Sequence, residues 1–363
     1  MKFKIEKSLL VGGIQTVQNV ITSKAVLPIL SHILIETQND KLRLTATDLD
    51  VGISCVLPVD IQEQGAITIP AKRFGDIVKE LPSESVNLAT RKNNLVSITT
   101  ESCEFKIMGL AKEEFPKPPE FQNKEAIKLD QATLKEMLGL TSFAASFDET
   151  RYILNGILFK IDKNNLVLVA TDGKRLAIAE RKLNQDTNKS LQMIVPIKTI
   201  QELLRNLKEE GELSVILGNN QALFELGEVS IISRLIEGEF PDYKQVVPPV
   251  AENKMSISRE QFLLAVRRAA LLSTPDFQAV KLEVFKNKLV VSKSTPDVGE
   301  SREEMAVEYK GKELMIGFNP AFLIDVLKNL SQGTVEMELA DSEKPGVIRT
   351  DGYVYIVLPM RLG

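Results

Sequence analysis

Tryptophan is absent from this chain, histidine occurs once and cysteine twice. With His32 as the only imidazole, no histidine-based triad or zinc site can be assembled. Cys55 and Cys103 cannot staple a disulfide framework, which fits a reducing compartment, and both read as small buried hydrophobes. Aromatic residues make up 6% of the chain, with no zinc module and no aromatic stripe for stacking bases. Any nucleic-acid contact is therefore expected to be electrostatic and blind to base sequence. No apolar run is long enough to span a bilayer, and the opening MKFKIEKSLLVGG lacks the long apolar core of a secretory leader. The expectation is a cytoplasmic protein with no membrane partner. Gly12-Gly13 and Gly173 stand outside any phosphate-cradling motif, so neither a nucleotide cofactor nor a metal is expected.

What the chain does have is repetition. Ile5 and Leu10 recur as Leu129 and Leu134, then as Ile257 and Phe262. LRLTATD (42–48) returns as LVLVATD (166–172) and LVVSKS (289–294), with Thr47, Thr171 and Ser294 in register. ITIPAKRFGDIVKEL, IVPIKTIQELLRNL and IGFNPAFLIDVLKNL align Leu81, Leu207 and Leu330. All three patterns give spacings of 123 to 128 residues, too long for a solenoid repeat, so each unit is a domain with its own core. The joints FPKPPEFQNKEA (115–126) and FPDYKQVVPPVAENK (240–254) are rich in proline and polar residues and continue neither helix nor central strand. Domains are expected at 1–122, 123–250 and 251–363.

Inside each unit the periodicity alternates between helix and strand. FKIE (3–6), HILIET (32–37) and KLRLTAT (41–47) alternate apolar and polar residues as half-buried antiparallel strands do. AITIP leads into a second helix, and Pro70 and Pro196 stand at helix starts, where a missing N–H costs nothing. The reading is an α+β class chain, each domain holding two strand-helix-strand units with helices on one side of the sheets. Helices are predicted over 7–20, 71–80, 131–141, 197–208, 259–272 and 320–329. These carry 12 Lys/Arg and 6 Asp/Glu, a net of +6, while the whole chain is at −4, leaving −10 for the rest. Either the helix faces are merely solvated with a chance lysine excess, or the chain carries a sorted electrostatic field, helices positive and the rest negative.

Candidate chemistry is thin. Asp48 and Asp50 in ATDLD resemble a metal-binding pair, but the second repeat keeps only Asp172, and Lys174 takes the other position. A Thr-Asp pair that organises a turn explains both. The tail LPMRLG (358–363) is apolar where chain ends are usually polar. It reads equally as an end strand tucked into the third domain and as one wall of an apolar pocket, where Met suits varied partners. An enzyme using Asp48 and Asp172 would need carboxylates that converge, and these lie one repeat apart. A scaffold that binds peptides without DNA is disfavoured by the sorted helix charge.

The residues MKFKIE, VLPIL (26–30), LTATDLD (44–50), RYILNGILF (151–159), VATDGKRLA (169–177), EGEFPDY (237–243), GFNPAFLIDVL (317–327) and the closing LPMRL resemble the bacterial β sliding clamps across the whole chain. These clamps are the processivity subunits of the replicative DNA polymerase III. The resemblance implies a head-to-tail homodimer of three tandem similar domains per chain, closing a six-domain ring (the DNA clamp fold). Helices would line the hole around double-stranded DNA. No catalysis is implied. The replicative DNA polymerase, the clamp loader and repair proteins would dock through short peptide motifs. The resemblance places the partner-peptide pocket at Leu154, Thr171, Gly173, Lys174, Arg175, Leu176, Pro241, Val246, Asn319, Phe322, Ile356, Val357, Leu358, Pro359, Met360 and Arg361. DNA contacts fall at Lys24, Tyr152 and Lys198; Asp148 and Ile153 depart from the family's polar or aromatic residues, as Lys174 and Gln245 depart from its histidine and arginine. The implied dimer interface sets Phe105 and Ile107 against Leu271 and Leu272. Lys72, Arg73 and Lys106 face Glu300, Glu303 and Glu304 there, with Glu104 where a basic residue is usual.

Overall fold

The computed structural model describes residues 1–21, 27–119, 121, 125–183 and 190–362. Six α-helices form among the described residues: α1 (Lys7–Gln18), α2 (Ala71–Glu80), α3 (Gln131–Thr141), α4 (Ile197–Asn206), α5 (Arg259–Ala270) and α6 (Pro320–Asn329). Three coincide with the predicted spans. The other three stop two residues early, at Gln18, Asn206 and Ala270. After α5 the chain tightens, with Leu271 and Leu272 donating to the carbonyls of Arg268 and Ala269 three residues back. Helix faces follow the apolar spacing. In α2 the buried residues are Ala71, Phe74, Gly75 and Val78; in α1 they are Leu10, Gly13, Ile14 and Val17. Gly13 is required by close approach, since a Cβ there would sit 2.6 Å from Leu57 Cδ1.

Two compact units result: residues 1–135 with 198–235, and 136–197 with 236–363. In the first unit a five-stranded antiparallel sheet runs Asp60–Glu63, Lys2–Glu6, Ser85–Thr90, Leu95–Thr99, Glu104–Met108. An eight-stranded sheet in the same unit runs Ala126–Asp130, Glu212–Gly218, Gln221–Leu226, Val229–Arg234, Val51–Pro58, Lys41–Thr47, His32–Gln38, Gly65–Pro70. The second unit holds a nine-stranded sheet whose centre pairs Arg175–Lys182 with Tyr353–Val357. It also holds a four-stranded sheet ordered Gly299–Ala306, Lys288–Thr295, Val280–Phe285, Leu314–Phe318.

The middle repeat is thus shared between the units. One of its edge strands, Val229–Arg234, pairs with Val51–Pro58 of the first repeat, setting Ile231 opposite Ile53. Its other edge, Arg175–Lys182, pairs with the last strand of the third repeat, setting Leu176 opposite Ile356. Pairing at these seams satisfies backbone groups that separate domains would leave as open edges. Of the two cysteines, Cys55 is buried, and burial pushes its thiol up to about 12. Cys103 departs from the sequence reading: it is only half-buried, in a turn beside Thr100. No helix among the described residues is long and apolar enough to cross a membrane.

Candidate functional sites

The second unit gathers the residues expected to form the peptide pocket. The turn that leads into Arg175–Lys182 is built by Thr171 and Asp172. Asp172 Oδ1 accepts the N–H groups of Lys174 (2.8 Å) and Arg175 (3.0 Å). Thr171 Oγ1 accepts from Gly173 N at 3.0 Å and donates to Arg175 O at 2.5 Å. Gly173 takes φ +85°, and a Cβ there would lie 2.9 Å from Arg151 Nη1. The paired strand Tyr353–Val357 continues into the tail: Leu358 N–H donates to Lys174 O (2.9 Å), and Met360 N–H donates to Gly317 O (2.8 Å). The tail therefore ties the nine-stranded sheet to the four-stranded one, while Leu358 stays 43% exposed. Met360 is thus tucked against the third repeat, and Leu358 leaves an apolar side chain on the surface.

Arg175 is the centre of this site. Its side chain is 9% exposed; Nε donates to Asp172 Oδ2 at 3.0 Å and Nη1 to Asp325 Oδ2 at 2.7 Å. Nη2 donates to the carbonyl of Phe143, and the guanidinium lies 4.4 Å from the Phe322 ring centroid and 5.5 Å from that of Phe143. Burial opposes its charge, but the hydrogen bond to Asp325, with Tyr355 and Asp172 nearby, holds its pKa above the ordinary value. Asn319 caps α6 through Ala321 N–H (3.0 Å) with Pro320 in the first turn, which aims Phe322 and Asp325 at Arg175. Tyr355 donates to Phe322 O at 2.8 Å, locking the same helix turn.

Beside it lies an apolar floor of Leu158, Val169, Leu176, Ile194, Phe240, Val347 and Ile356, with Leu154, Tyr243 and Val247 packed against it. Val246 is 60% exposed on the short 3-10 helix Tyr243–Val246, which Asp242 caps through Lys244 N–H. Pro241, Gly173, Lys174 and Arg361 are exposed; Val357 is buried, and Pro359 is half-buried. Sequence reasoning missed Phe143, Asp325 and Tyr355, which fix Arg175, and Phe240 and Tyr243, which extend the floor. Asp325 lies off the buried stripe of Leu323, Val326 and Leu327, one turn after Phe322, and its spacing from Phe322 was the one available signal.

Of the expected DNA contacts, Lys24 lies outside the described residues. Tyr152 is 57% exposed on the 3-10 helix Glu149–Asn155, whose cap Asp148 accepts from Thr150 N at 3.0 Å. Lys198, in the first turn of α4, is paired with Asp48.

The residues expected at the dimer interface fall on two edge strands and their flanks. In the first unit, Glu104–Met108 is a sheet edge with Phe105 40% exposed, and Lys106 pairs with Glu104 at 3.2 Å. Ile107 is 7% exposed, opposite Val96 of the neighbouring strand, and Met108 is 58% exposed. Lys72 and Arg73 occupy the first turn of α2. In the second unit, Gly299–Ala306 is a sheet edge. Leu271 is 81% exposed there and Leu272 half-buried. Glu300 is exposed. Glu303 is held by Arg268 at 2.5 and 2.8 Å, and Glu304 by Arg302 at 2.5 Å.

Three antiparallel α+β repeats, with a buried arginine beside an apolar cluster, define a repeat-built α+β protein with a candidate docking surface. The comparisons give the family. Models of the DNA polymerase III beta subunit match over residues 1–119 (N-terminal domain), 128–242 (central domain) and 244–361 (C-terminal domain). A curated beta sliding clamp from Chlamydia muridarum is 35% identical over 364 residues, covering 100% of this chain and 99% of the relative. That of Vibrio cholerae is 32% identical over 368 residues, covering 100% of both. The crystal structure of the DNA polymerase sliding clamp from Bacillus subtilis superposes with a TM-score of 0.95 at 30% identity, covering 100% of both chains. The chain belongs to the DNA polymerase III beta-subunit family, the sliding clamps, which are non-catalytic processivity factors.

Proposed function

We propose that this chain closes head to tail with a second copy into a ring around duplex DNA and there tethers the replicative polymerase. The observation that carries this is internal. Twice along the chain the fourth strand of one repeat pairs with the last strand of the next, as Val51–Pro58 with Val229–Arg234 and Arg175–Lys182 with Tyr353–Val357. The same rule applied once more sets Gly299–Ala306 against Glu104–Met108, and both are edges within their own sheets. A second copy supplies the missing partner for each, with Phe105 and Ile107 meeting Leu271 and Leu272. Domains at 1–122, 123–250 and 251–363, and a cytoplasmic location, belong to this reading. Such a ring is held by topology, so its DNA contacts through Lys24, Tyr152 and Lys198 can be weak and exchangeable. It raises the effective concentration of a tethered partner. Light scattering at micromolar concentration is expected to give a dimer. Loaded on nicked circular DNA, the protein is expected to remain bound and to run off once the circle is linearised. A monomer, or equal loss from both DNAs, overturns the reading.

The apolar floor is the reading's docking site. A partner segment carrying a glutamine and an apolar end would bury its anchors on Leu176, Val246, Leu358 and Met360. Each anchor contributes about 1.5–3 kcal/mol, and after ordering costs the binding is micromolar, weak enough for exchange. Deleting 360–363, or replacing Leu358 with Ser, is expected to weaken a labelled peptide in anisotropy titrations while the dimer persists. Unchanged affinity in both variants would refute the assignment and leave the ring standing.

A further inference from the structure

A cleft of about 630 Å³ opens on the solvent face of the eight-stranded sheet, among Glu36, Lys41, Arg43, Val56, Ala66 and Lys112. Register makes it a built feature. Arg43 lies directly opposite Glu36 on one side and Val56 on the other, and Glu36 lies opposite Ala66, so one row crosses four strands. Lys41 heads the next row, opposite Gln38 and Pro58. The hairpin that sets this register turns through Asn39 (φ +49°) and Asp40 (φ +58°), the geometry that matches strand twist. Lys41, Arg43 and Lys112 are exposed, and none of them has an ion-pair partner among the described residues. Three unpaired cations around one carboxylate stand out because the chain outside its predicted helices carries −10.

The second repeat builds the same place differently. One repeat later, Lys160, Asp162, Asn165, Val167 and Glu180 border a cleft of about 510 Å³. There the linker that follows the repeat forms part of the wall: Tyr243, Lys244 and Val247 lie over the apolar Val167, Ile178 and Val354. In the first repeat no described residue of the corresponding linker lines the cleft, and Arg43 stands where Val167 does.

We propose that the first-repeat cleft docks an acidic, extended segment of a partner protein, in the place that the chain's own linker takes on the second repeat. The site is separate from the peptide pocket, which lies in the other unit. Its complementarity is electrostatic, so affinity falls steeply with salt and changes chiefly through the association rate.

The test uses the full chain and a short fluorescein-labelled peptide of alternating glutamate and alanine, at about 50 mM salt, where the Debye length still reaches across the cleft. The double variant Lys41→Glu/Arg43→Glu is expected to weaken the peptide by roughly tenfold or more. These side chains are solvent-exposed, so the fold is retained, which circular dichroism checks. The matched reversal Lys160→Glu/Lys244→Glu makes the same change of net charge at the other cleft and is expected to leave affinity within about twofold, since those lysines line a different cleft and act only through the screened net charge. Equal loss in both reversals, or no loss in either, overturns the proposal. So does displacement of the peptide by a short duplex DNA at the same charge concentration as readily as by unlabelled peptide, which would make the cleft a phosphate-backbone contact. Light scattering on the same samples keeps these outcomes apart from failure of the ring.

Discussion

The chain builds one corner twice, at Asp48 and at Asp172, and the two differ where it matters. The frames superpose bond for bond. Asp48 Oδ1 accepts from Asp50 N (3.1 Å) and Val51 N (2.8 Å), as Asp172 Oδ1 does from Lys174 and Arg175. Thr47 Oγ1 accepts from Leu49 N (3.0 Å) and donates to Val51 O (2.9 Å), matching Thr171. Even the left-handed residue is shared, Leu49 at φ +82° and Gly173 at φ +85°. At the first corner the remaining aspartate oxygen takes Lys198 from α4, and Val51 fills the position of Arg175. At the second, Arg175 itself takes that oxygen and reaches on to Asp325 of α6. The turn comes with the repeat; one residue, Arg175, converts the second corner into a rigid wall for the apolar floor.

Removing that residue tests the comparison hardest. Arg175→Ala strands Asp172 and Asp325 without their cation and costs on the order of 3 kcal/mol, read by urea unfolding. It is also expected to abolish peptide binding. Arg175→Lys recovers little, because a single ammonium cannot reach Asp172, Asp325 and the Phe143 carbonyl together. A loss below about 1 kcal/mol in Arg175→Ala would mean the wall is held by the apolar floor alone.

Exchanging the left-handed residues comes next. Gly173→Leu combines a strained φ with a clash at Arg151 and is expected to cost about 2 kcal/mol. The reverse change, Leu49→Gly, releases about 1–2 kcal/mol of strain and returns about 0.5–1 kcal/mol as unfolded-chain entropy. Because Leu49 is 48% exposed it surrenders little packing, so thermal unfolding is expected to show a small net gain.

Much of this was legible in the residues themselves. Helix spans follow apolar spacing, and the Thr-Asp turns follow from side chains that hydrogen-bond the backbone two and three residues on. The seams were not legible. That Val229–Arg234 joins Val51–Pro58 depends on pairing between residues nearly 180 positions apart, to which local periodicity is blind. Phe143 and Asp325 were missed for the same reason, lying 32 and 150 positions from Arg175. Strand alternation sets Phe105 and Ile107 on one face and Lys106 on the other, but how deeply Ile107 is buried depends on packing that alternation does not show. The proposed pocket, as a set of residues, is suggested only by resemblance to the clamps.

Glu202 sharpens the comparison on the helix side. By the alignment of Leu207 with Leu330 it stands where Asp325 does, but no arginine rises from the turn to meet it. It is 2% exposed, held by the half-exposed Arg205, with Oε2 buried and unpartnered among the described residues. Burial raises its pKa above 4.5, against the pull of Arg205 and Lys198. A raised carboxylate binds its proton more tightly when folded. Its contribution is therefore greatest below the unfolded pKa and is lost as pH rises through the folded one. Glu202→Gln is expected to flatten the stability profile above pH 4.5 and to gain on the order of 1 kcal/mol at neutral pH. An unchanged pH slope would show that Arg205 compensates the charge fully.

The smallest effect is expected at Lys198, and it separates stability from DNA binding. The lysine side chain is 36% exposed and that of its partner Asp48 15%, so water screens the pair and its loss costs about 0.5–1 kcal/mol. Asp48 stays occupied through Oδ1 by the turn N–H groups, so Lys198→Ala leaves no bare carboxylate. If Lys198 also contacts phosphate, it must leave Asp48 or share itself, which makes each interaction weaker than a free lysine's and suits a contact that exchanges as a ring slides. Lys198→Ala is then expected to shorten residence on circular DNA modestly and to lower the salt slope by about one phosphate contact. Asp48→Asn frees the ammonium and is expected to do the opposite, lengthening residence while the turn persists through the amide oxygen. Opposite signs in the two variants assign Lys198 to DNA; identical residence in both would confine it to closing the Asp48 corner.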